Sequence, residues 1–494
     1  MATAGIKPKW NKAHIWAFTT YFTEGFPFSI IRTVSSVFFR DMKVSLEAIG
    51  LTPLYGLPWI LKFLWGPQVD EYSTKKRWLL SMQAGLLAMM LAAALLAPLD
   101  IGVPAIAVLF FIGSIVAATH DIAIDGYYME ALDKEGQAKF VGYRVMAYRI
   151  AMMTGSGVIV SIGANWGWSW AFLGAALVFG LFFLYHCLFL DEVESPGKSI
   201  RVLLFRGMKV RAILLFLFSL FFIIGFRYFF QSPFYGRLKE SVPLLKEIGF
   251  PHWVALLLLV ALIVFGLTGK KIKARLTRDP DSFYGKAFIL FMEREKISLI
   301  LTFIILMRVG EWALTTMVAP FIVDLGLKFH YGWISGLVGM PAAIVGAMLG
   351  GWMISRFSLK KVIWPFILIQ NLTNVLYMIL AFYLRPFIEA NTGAATPISI
   401  GTINLGLVAF VHGFDQLAGG LGNAVLMTYL MRICHQEYKA AHYAIGSGLM
   451  NLGGLFTGVA SGFIAGWLGY GWVFGFSFLV SLPAMFFIPF LPYL

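Results

Sequence analysis

Fourteen apolar stretches follow one another from Ile15 to Pro492 with only short polar breaks between them. A bilayer core of about 30 Å is crossed by roughly 20 apolar residues in a helix, and each stretch approaches or exceeds that length. The spans run over residues 14–39, 46–67, 78–98, 103–130, 139–164, 168–190, 211–230, 251–269, 297–323, 331–354, 362–384, 398–431, 440–466 and 471–492. The predicted fold class is therefore an all-α integral membrane protein with about 14 transmembrane helices. Lipid offers no hydrogen bonds to backbone groups, so each run is forced into helix. Function must reside in the few polar groups held inside the bundle, where they are costly.

Only 13% of the 494 residues are charged, while 59% are hydrophobic. Soluble domains carry about 25% charged residues, so little soluble mass is left over. The net charge of +14 does not point to nucleic acid, because no basic patch with interleaved aromatics forms on a polar segment. The basic residues fall instead in alternate loops. With the N-terminus inside, the inner segments hold Lys7, Lys9 and Lys12, the group Lys75, Lys76 and Arg77, then Lys134 and Lys139. The stretches 198–211 and 270–296, Arg356, Lys360, Lys361, Arg432 and Lys439 continue the series. The outer loops hold few, among them Arg40, Lys43, Lys328 and Arg385. Both termini are expected in the cytosol. The run after Lys12 is too long for a cleaved signal peptide and reads as the first membrane helix. Cys187 and Cys434 lie in or beside separate spans and give neither a metal spacing nor a disulfide framework.

The chain repeats itself. Gly66-Pro-Gln-Val-Asp70-Glu-Tyr-Ser73-Thr-Lys75-Lys76 closes the second span, and Gly351-Trp-Met-Ile-Ser355-Arg-Phe-Ser358-Leu-Lys360-Lys361 closes the tenth. Glycine, serine and both lysines match at a constant offset of 285. Such a repeat implies two related halves. The expected organisation is a six-helix bundle over 1–195, a linker with two extra membrane helices over 196–296, and a second six-helix bundle over 297–494.

Gly66 to Arg77 resembles the signature loop of the major facilitator superfamily. The resemblance implies a conformational latch made of Gly66, Asp70, Lys75, Lys76 and Arg77. A closer resemblance is to the AmpG muropeptide permeases of that superfamily. It rests on Lys62-Phe-Leu-Trp-Gly-Pro-Gln-Val-Asp70, His120-Asp121-Ile-Ala-Ile-Asp125, Tyr148-Arg149, the run Phe414-Asp415-Gln-Leu-Ala-Gly-Gly420-Leu-Gly422, and Tyr438 to Ala444. Glu24 and Arg32 depart from it, standing where that family tends to have small polar residues. Gly454 departs too, where an arginine is often found. The resemblance implies import of GlcNAc-anhydroMurNAc peptides across a bacterial inner membrane for cell-wall recycling. Transport would be by alternating access, with the first helix of each half lining a central cavity.

Charges inside the spans nominate the working groups: the acids Glu24, Asp121, Asp125, Glu311 and Asp415, and the bases Arg32, Lys62, Arg144, Arg149, Arg227 and Arg308. Asp121 and Asp125, four residues apart, share one helix face. Two neighbouring carboxylates repel as anions, so Asp125, with Asp121 and Glu24, is the candidate for proton coupling. The bland reading of Asp125 is a fixed ion pair with Arg149 or Lys62. Candidates for substrate contact are Arg32, Tyr55, Trp59, Lys62, Arg149, Arg308, Glu311 and Asp415. Aromatic faces suit sugar rings and arginines suit carboxylates, which fits an acidic glycopeptide. His120, His412 and His442 read as packed histidines, and no spacing supports a metal. Gly454, Gly458, Gly462 and Gly466 form a small-residue ridge suited to close helix packing within the chain.

The leading function is a proton-coupled secondary transporter, a monomer in the bilayer with a small-molecule substrate and no cofactor. No phosphate-binding Gly-x-x-x-x-Gly-Lys-Ser/Thr loop supports ATP drive. Another amphiphilic solute, such as a coenzyme A thioester, siderophore or drug, is the alternative. A membrane-embedded transferase would need a nucleophile or metal cluster that the chain does not offer.

Overall fold

The computed structural model describes residues 12–62, 65–132, 134–195, 198–199, 232–241, 249, 251–257, 260, 289–391, 398–435 and 439–493. These residues are overwhelmingly helical, as continuous apolar runs in lipid require. Eight helices among them are long and apolar enough to cross a membrane.

In the N-terminal group, α1 (Ala13–Ser29) passes through a π-helical turn (Ile30–Val34) into α2 (Ser35–Asp41). The second pass is broken into α3 (Leu46–Ile49), a 3-10 turn (Thr52–Gly56), α4 (Leu57–Leu61) and α5 (Gly66–Glu71). Pro53 and Pro58 cause the break, since neither has an amide to donate. Arg32 donates to the carbonyls of Pro53 (2.7 Å) and Thr52 (3.5 Å) there. The group continues through α6 (Lys75–Leu96), α7 (Gly102–Ala131), α8 (Lys134–Met153), α9 (Val160–Trp166) and α10 (Trp168–Phe189). A short helix, α11 (Pro233–Ser241), follows.

The C-terminal group begins with α12 (Ile297–Ile322), which turns at Gly326, φ 79°, into α13 (Lys328–Trp333) and α14 (Met340–Phe357). It continues through α15 (Leu359–Tyr383), α16 (Arg385–Asn391), α17 (Thr402–Arg432), α18 (Lys439–Leu468) and α19 (Tyr470–Phe487). The described residues of the twelve predicted spans outside the middle segment are mostly helical, with the second span broken and the helix of the 398–431 span beginning at Thr402. The predicted span 211–230 lies outside the described residues, as does most of 251–269. Its described start packs on the C-terminal group, with the His252 ring 4.7 Å from that of Phe463.

The internal repeat is visible in the backbone. Ser73 and Ser358, the matched serines, both adopt positive φ, 61° and 71°. That conformation costs a side-chain-bearing residue about 1–2 kcal/mol, and it is retained at the same place in both turns.

The two groups meet at the face that carries Asp41, Trp168, Asp324 and Tyr470, opposite the face where α1 begins and α19 ends. Two helix crossings form the seam. The glycine ridge of α18 lies against α3 and the 3-10 turn, and a Cβ on Gly462 would stand 2.9 Å from the Gly50 Cα. Gly336 meets Gly157 in the same way, at 2.8 Å from its Cα. The ridge therefore packs within the chain. Overpacking such a contact costs about 1–3 kcal/mol. Gly462→Leu is expected to lower thermal stability in detergent by that amount, and an unchanged unfolding midpoint would remove the seam from the forces holding this arrangement.

Candidate functional site

The polar interior of the N-terminal group is organised around α7. Lys62, just past α4, reaches Asp121 Oδ2 at 2.5 Å. Arg144 of α8 reaches Asp125 Oδ1 at 2.8 Å, and Tyr21 of α1 donates to the same oxygen at 2.7 Å. The Arg144 guanidinium also lies 4.2 Å from the Tyr21 ring centroid and 4.7 Å from that of Tyr128. Asp125 thus pairs with Arg144 and not with Arg149 or Lys62. The cause is helix register: Arg144 and Arg149 are five residues apart, which turns α8 by about 140° beyond one full turn. Arg144 faces α7, whereas Arg149 faces the other group. Glu24 sits beside Asp121, Asp125 and Lys62. Its Oε2 is buried with no donor among the described residues. Because the neighbouring carboxylates are themselves acceptors, Glu24 can bond directly to Asp121 only when one of the two carries a proton.

In the C-terminal group, Arg308 reaches Glu311 Oε2 at 2.5 Å and Asn423 Oδ1 at 2.8 Å. Gln370 donates to Glu311 Oε2 at 2.6 Å. Asp415 accepts from Thr373 at 2.7 Å and from Gln416 at 3.2 Å. A cavity of about 120 Å³ opens here, lined by Glu311, Gln370, Asn371, Asn374, Asp415 and Gln416, with Arg149 contributed by the N-terminal group. Trp312 lies between the groups, with Arg32 5.7 Å and Arg308 5.5 Å from its ring centroid. A side chain at Gly454 would strike this ring.

Two ion pairs tie the groups together at the seam face. Arg40 makes a bidentate pair with Asp324, at 2.6 and 2.5 Å, and Tyr470 donates to Asp324 at 2.6 Å. Lys328 pairs with Asp41 at 2.9 Å, whose other oxygen accepts from Trp168 at 2.8 Å. Among the described residues no ion pair joins the groups at the opposite face. Side-chain exposure follows the same division, 16% for Asp324 and 39% for Asp125. The cleft is closed at the seam face, where these ion pairs and the glycine crossings join the two groups.

A family model described as Major Facilitator Superfamily matches residues 17–307. The chain belongs to the major facilitator superfamily. The anhydromuropeptide permease of Escherichia coli (strain K12) is 21% identical over 473 residues, covering 94% of this chain and 76% of the permease. An uncharacterized protein of Haemophilus influenzae is 22% identical over 96% of this chain and 93% of its own. Among solved structures, the peptide transporter POT in complex with sulfate matches with a TM-score of 0.63 at 12% identity, covering 98% of this chain and 96% of that one. The inward-open xylose transporter XylE of Escherichia coli matches with a TM-score of 0.57 at 12% identity, covering 98% and 97%. This major facilitator protein is thus a multi-pass membrane transporter for a small molecule, of a permease class and not an enzyme class.

The predicted site residues divide into separate places in this transporter. Lys62, Asp121, Asp125 and Glu24 form one cluster, and Arg149, Arg308, Glu311 and Asp415 gather at or beside the cavity. Tyr55 is buried in the N-terminal group, donating to the Ala107 carbonyl at 3.2 Å. Trp59 packs edge-on to Phe28 at 5.1 Å. In the loop that resembles a latch, Lys75 is tied to Glu194 of its own group through both its ammonium and its backbone amide. Lys76 and Arg77 begin α6, and Gly66 and Asp70 belong to α5. No cluster of metal-binding side chains occurs among the described residues. His412 bonds Tyr377 at 2.8 Å, and His442 bonds Arg294 at 2.9 Å. The reading by charge missed the carboxamides of Gln370, Asn371, Asn374 and Asn423. It also missed the cross-group pairs of Arg40 and Lys328, whose charges were read as loop charges only.

Proposed function

We propose that this transporter is a monomeric, proton-coupled importer of anhydro-muropeptides in a bacterial inner membrane, with both termini cytosolic. The segment 196–296 inserts two further membrane helices between its six-helix bundles. The observation that carries the substrate reading is the full-length similarity to an anhydromuropeptide permease. Coupling is supported by three carboxyl groups, Glu24, Asp121 and Asp125, gathered around Lys62 and Arg144. With two cations for three acids, the cluster balances when it holds one proton. Asp125 is the acid most open to the cleft and is assigned the exchanging proton, while Arg32 and Arg149 supply positive charge for an acidic substrate. Gly66, Asp70, Lys75, Lys76 and Arg77 form the latch of the opposite, outward-open state.

The test is uptake of labelled GlcNAc-anhydroMurNAc peptide into proteoliposomes under an inward proton gradient. Saturable accumulation that collapses with a protonophore is expected. Asp125→Asn is expected to abolish accumulation while sparing exchange, because a permanently neutral side chain cannot carry the proton across. Accumulation that persists in this variant removes Asp125 from coupling. No uptake by the folded, oriented protein removes the muropeptide assignment and leaves another amphiphilic solute as cargo.

A further inference from the structure

The cavity in the C-terminal group holds two charged side chains with no ion-pair partner among the described residues, Arg149 and Asp415, the latter hydrogen-bonded by Thr373 and Gln416. No carboxylate lies within ion-pair distance of Arg149 among the described residues, and no cation lies within that distance of Asp415. The other acid there, Glu311, is already neutralised by Arg308. Unanswered charges inside a membrane protein are costly and mark functional sites. Opposite charges left open in one cavity ask for a ligand that carries both signs.

Two buried carboxamides add to this. Asn371 and Asn374 are only 4% and 2% exposed, and they stand one turn apart on α15. Both line the cavity, and neither side chain has a hydrogen-bond partner among the described residues. A carboxamide presents a donor and an acceptor together, the complement of an amide bond. Size narrows the ligand further. A cavity of about 150 Å³ holds one benzene, so about 120 Å³ takes one ring-sized or residue-sized group and not a whole glycopeptide.

We propose that this cavity is a subsite for a small zwitterionic group of a transported solute, a free carboxylate and a free ammonium on either side of one amide bond. Arg149 receives the carboxylate, in the forked geometry a guanidinium offers. Asp415 accepts from the ammonium. Asn371 and Asn374 hold the amide between the two charges. A neutral sugar ring in the same place would leave Arg149 and Asp415 unanswered. Because Arg149 comes from the N-terminal group and Asp415 from the C-terminal group, a ligand spanning them draws the two groups together. The inference deepens the import reading but rests only on this cleft being the solute path, not on the cargo being a muropeptide.

The test is binding of small probes to the purified full-length transporter, read by calorimetry or thermal shift. The probes are D-alanyl-D-alanine, its N-acetyl form, its C-terminal amide, and N-acetylglucosamine. The free dipeptide is expected to bind at least about tenfold more tightly than any of the other three, a step of about 1.4 kcal/mol. Arg149→Gln is expected to erase the preference over the amide while keeping the preference over the N-acetyl form. Asp415→Asn is expected to do the reverse. Equal or tighter binding of a blocked dipeptide or of the sugar by the unmodified protein overturns the proposal, as do preferences that survive in both variants. A dipeptide preference without muropeptide uptake would sink the cargo reading and leave the subsite. Uptake without the preference would sink the subsite alone.

Discussion

Arg40→Gln is expected to raise about thirtyfold the fraction of protein whose cleft is open at the seam face. The reason is the geometry of the Arg40–Asp324 pair, with two short parallel bonds and a third ligand from Tyr470. Fully exposed pairs contribute less than about 1 kcal/mol, and breaking fully buried ones costs about 3–5 kcal/mol. These side chains are 21% and 16% exposed, which places the pair between those limits, at about 2 kcal/mol. At about 1.4 kcal/mol per factor of ten, the shift is roughly thirtyfold. The pair joins the two groups across the seam, so its loss is expected to move the balance between states as well as lowering stability. The readout is labelling of a Ser36→Cys reporter by an impermeant maleimide, with Cys187 and Cys434 replaced by serine. Ser36 is buried beneath the pair on α2, beside Thr52. Faster labelling in Arg40→Gln, and slower labelling restored by the Arg40→Asp with Asp324→Arg exchange, is the expected pattern. Unchanged labelling would mean that the glycine seam alone holds this face closed.

The helices were legible because lipid removes the choices that water leaves open. A long apolar run must satisfy its own backbone, so composition alone locates the passes. The broken second pass was foreshadowed by Pro53 and Pro58. The π-helical turns at 30–34, 154–159, 323–327 and 334–339 had no local signal. They lie where the two groups meet, and an inserted residue there answers to packing across the seam, not to propensity.

The site was legible in its charges and illegible in its pairings. An acid or base within an apolar run is rare enough to be conspicuous, so Asp121, Asp125, Arg308 and Glu311 stood out. Which cation meets Asp125 depends on the rotation of α8, which no spacing within α7 reveals. The cross-group pairs join residues 284 and 287 apart, close to the repeat offset of 285. That near-coincidence was the available signal, since it sets the end of each half's first helix against its counterpart. The carboxamides on α15 went unseen because a scan for charge ignores Gln370, Asn371 and Asn374. Inside a membrane bundle an unbonded carboxamide is nearly as conspicuous as a charge.

Arg308→Ala is expected to cost about 3 kcal/mol of stability, the low end for a buried pair at 12% and 18% exposure, because it strands the Glu311 carboxylate and also takes the donor from Asn423 Oδ1. The network around the pair is compact: Arg308 binds both Glu311 and Asn423, and Gln370 closes on the same Glu311 oxygen. Replacing both charges, Arg308→Met with Glu311→Leu, removes the stranded anion. It leaves Gln370 Nε2 and Asn423 Oδ1 without partners, which costs about 1–3 kcal/mol for a buried group. The double variant should therefore be more stable than Arg308→Ala, and the cycle should show a coupling of about 2 kcal/mol. Unfolding in detergent measures this half of the prediction. Uptake measures the other half. A pair serving only to satisfy two buried charges is dispensable once both are gone, so stability and uptake would recover together. A pair that sets the electrostatics of the neighbouring cavity is not dispensable, because Asp415 would then be the cavity's remaining acid, facing only Arg149. The expected result is recovered stability with uptake still absent. Recovery of both would assign Arg308 and Glu311 to the scaffold and leave Arg149, Asp415 and the α15 carboxamides as the groups that meet the solute.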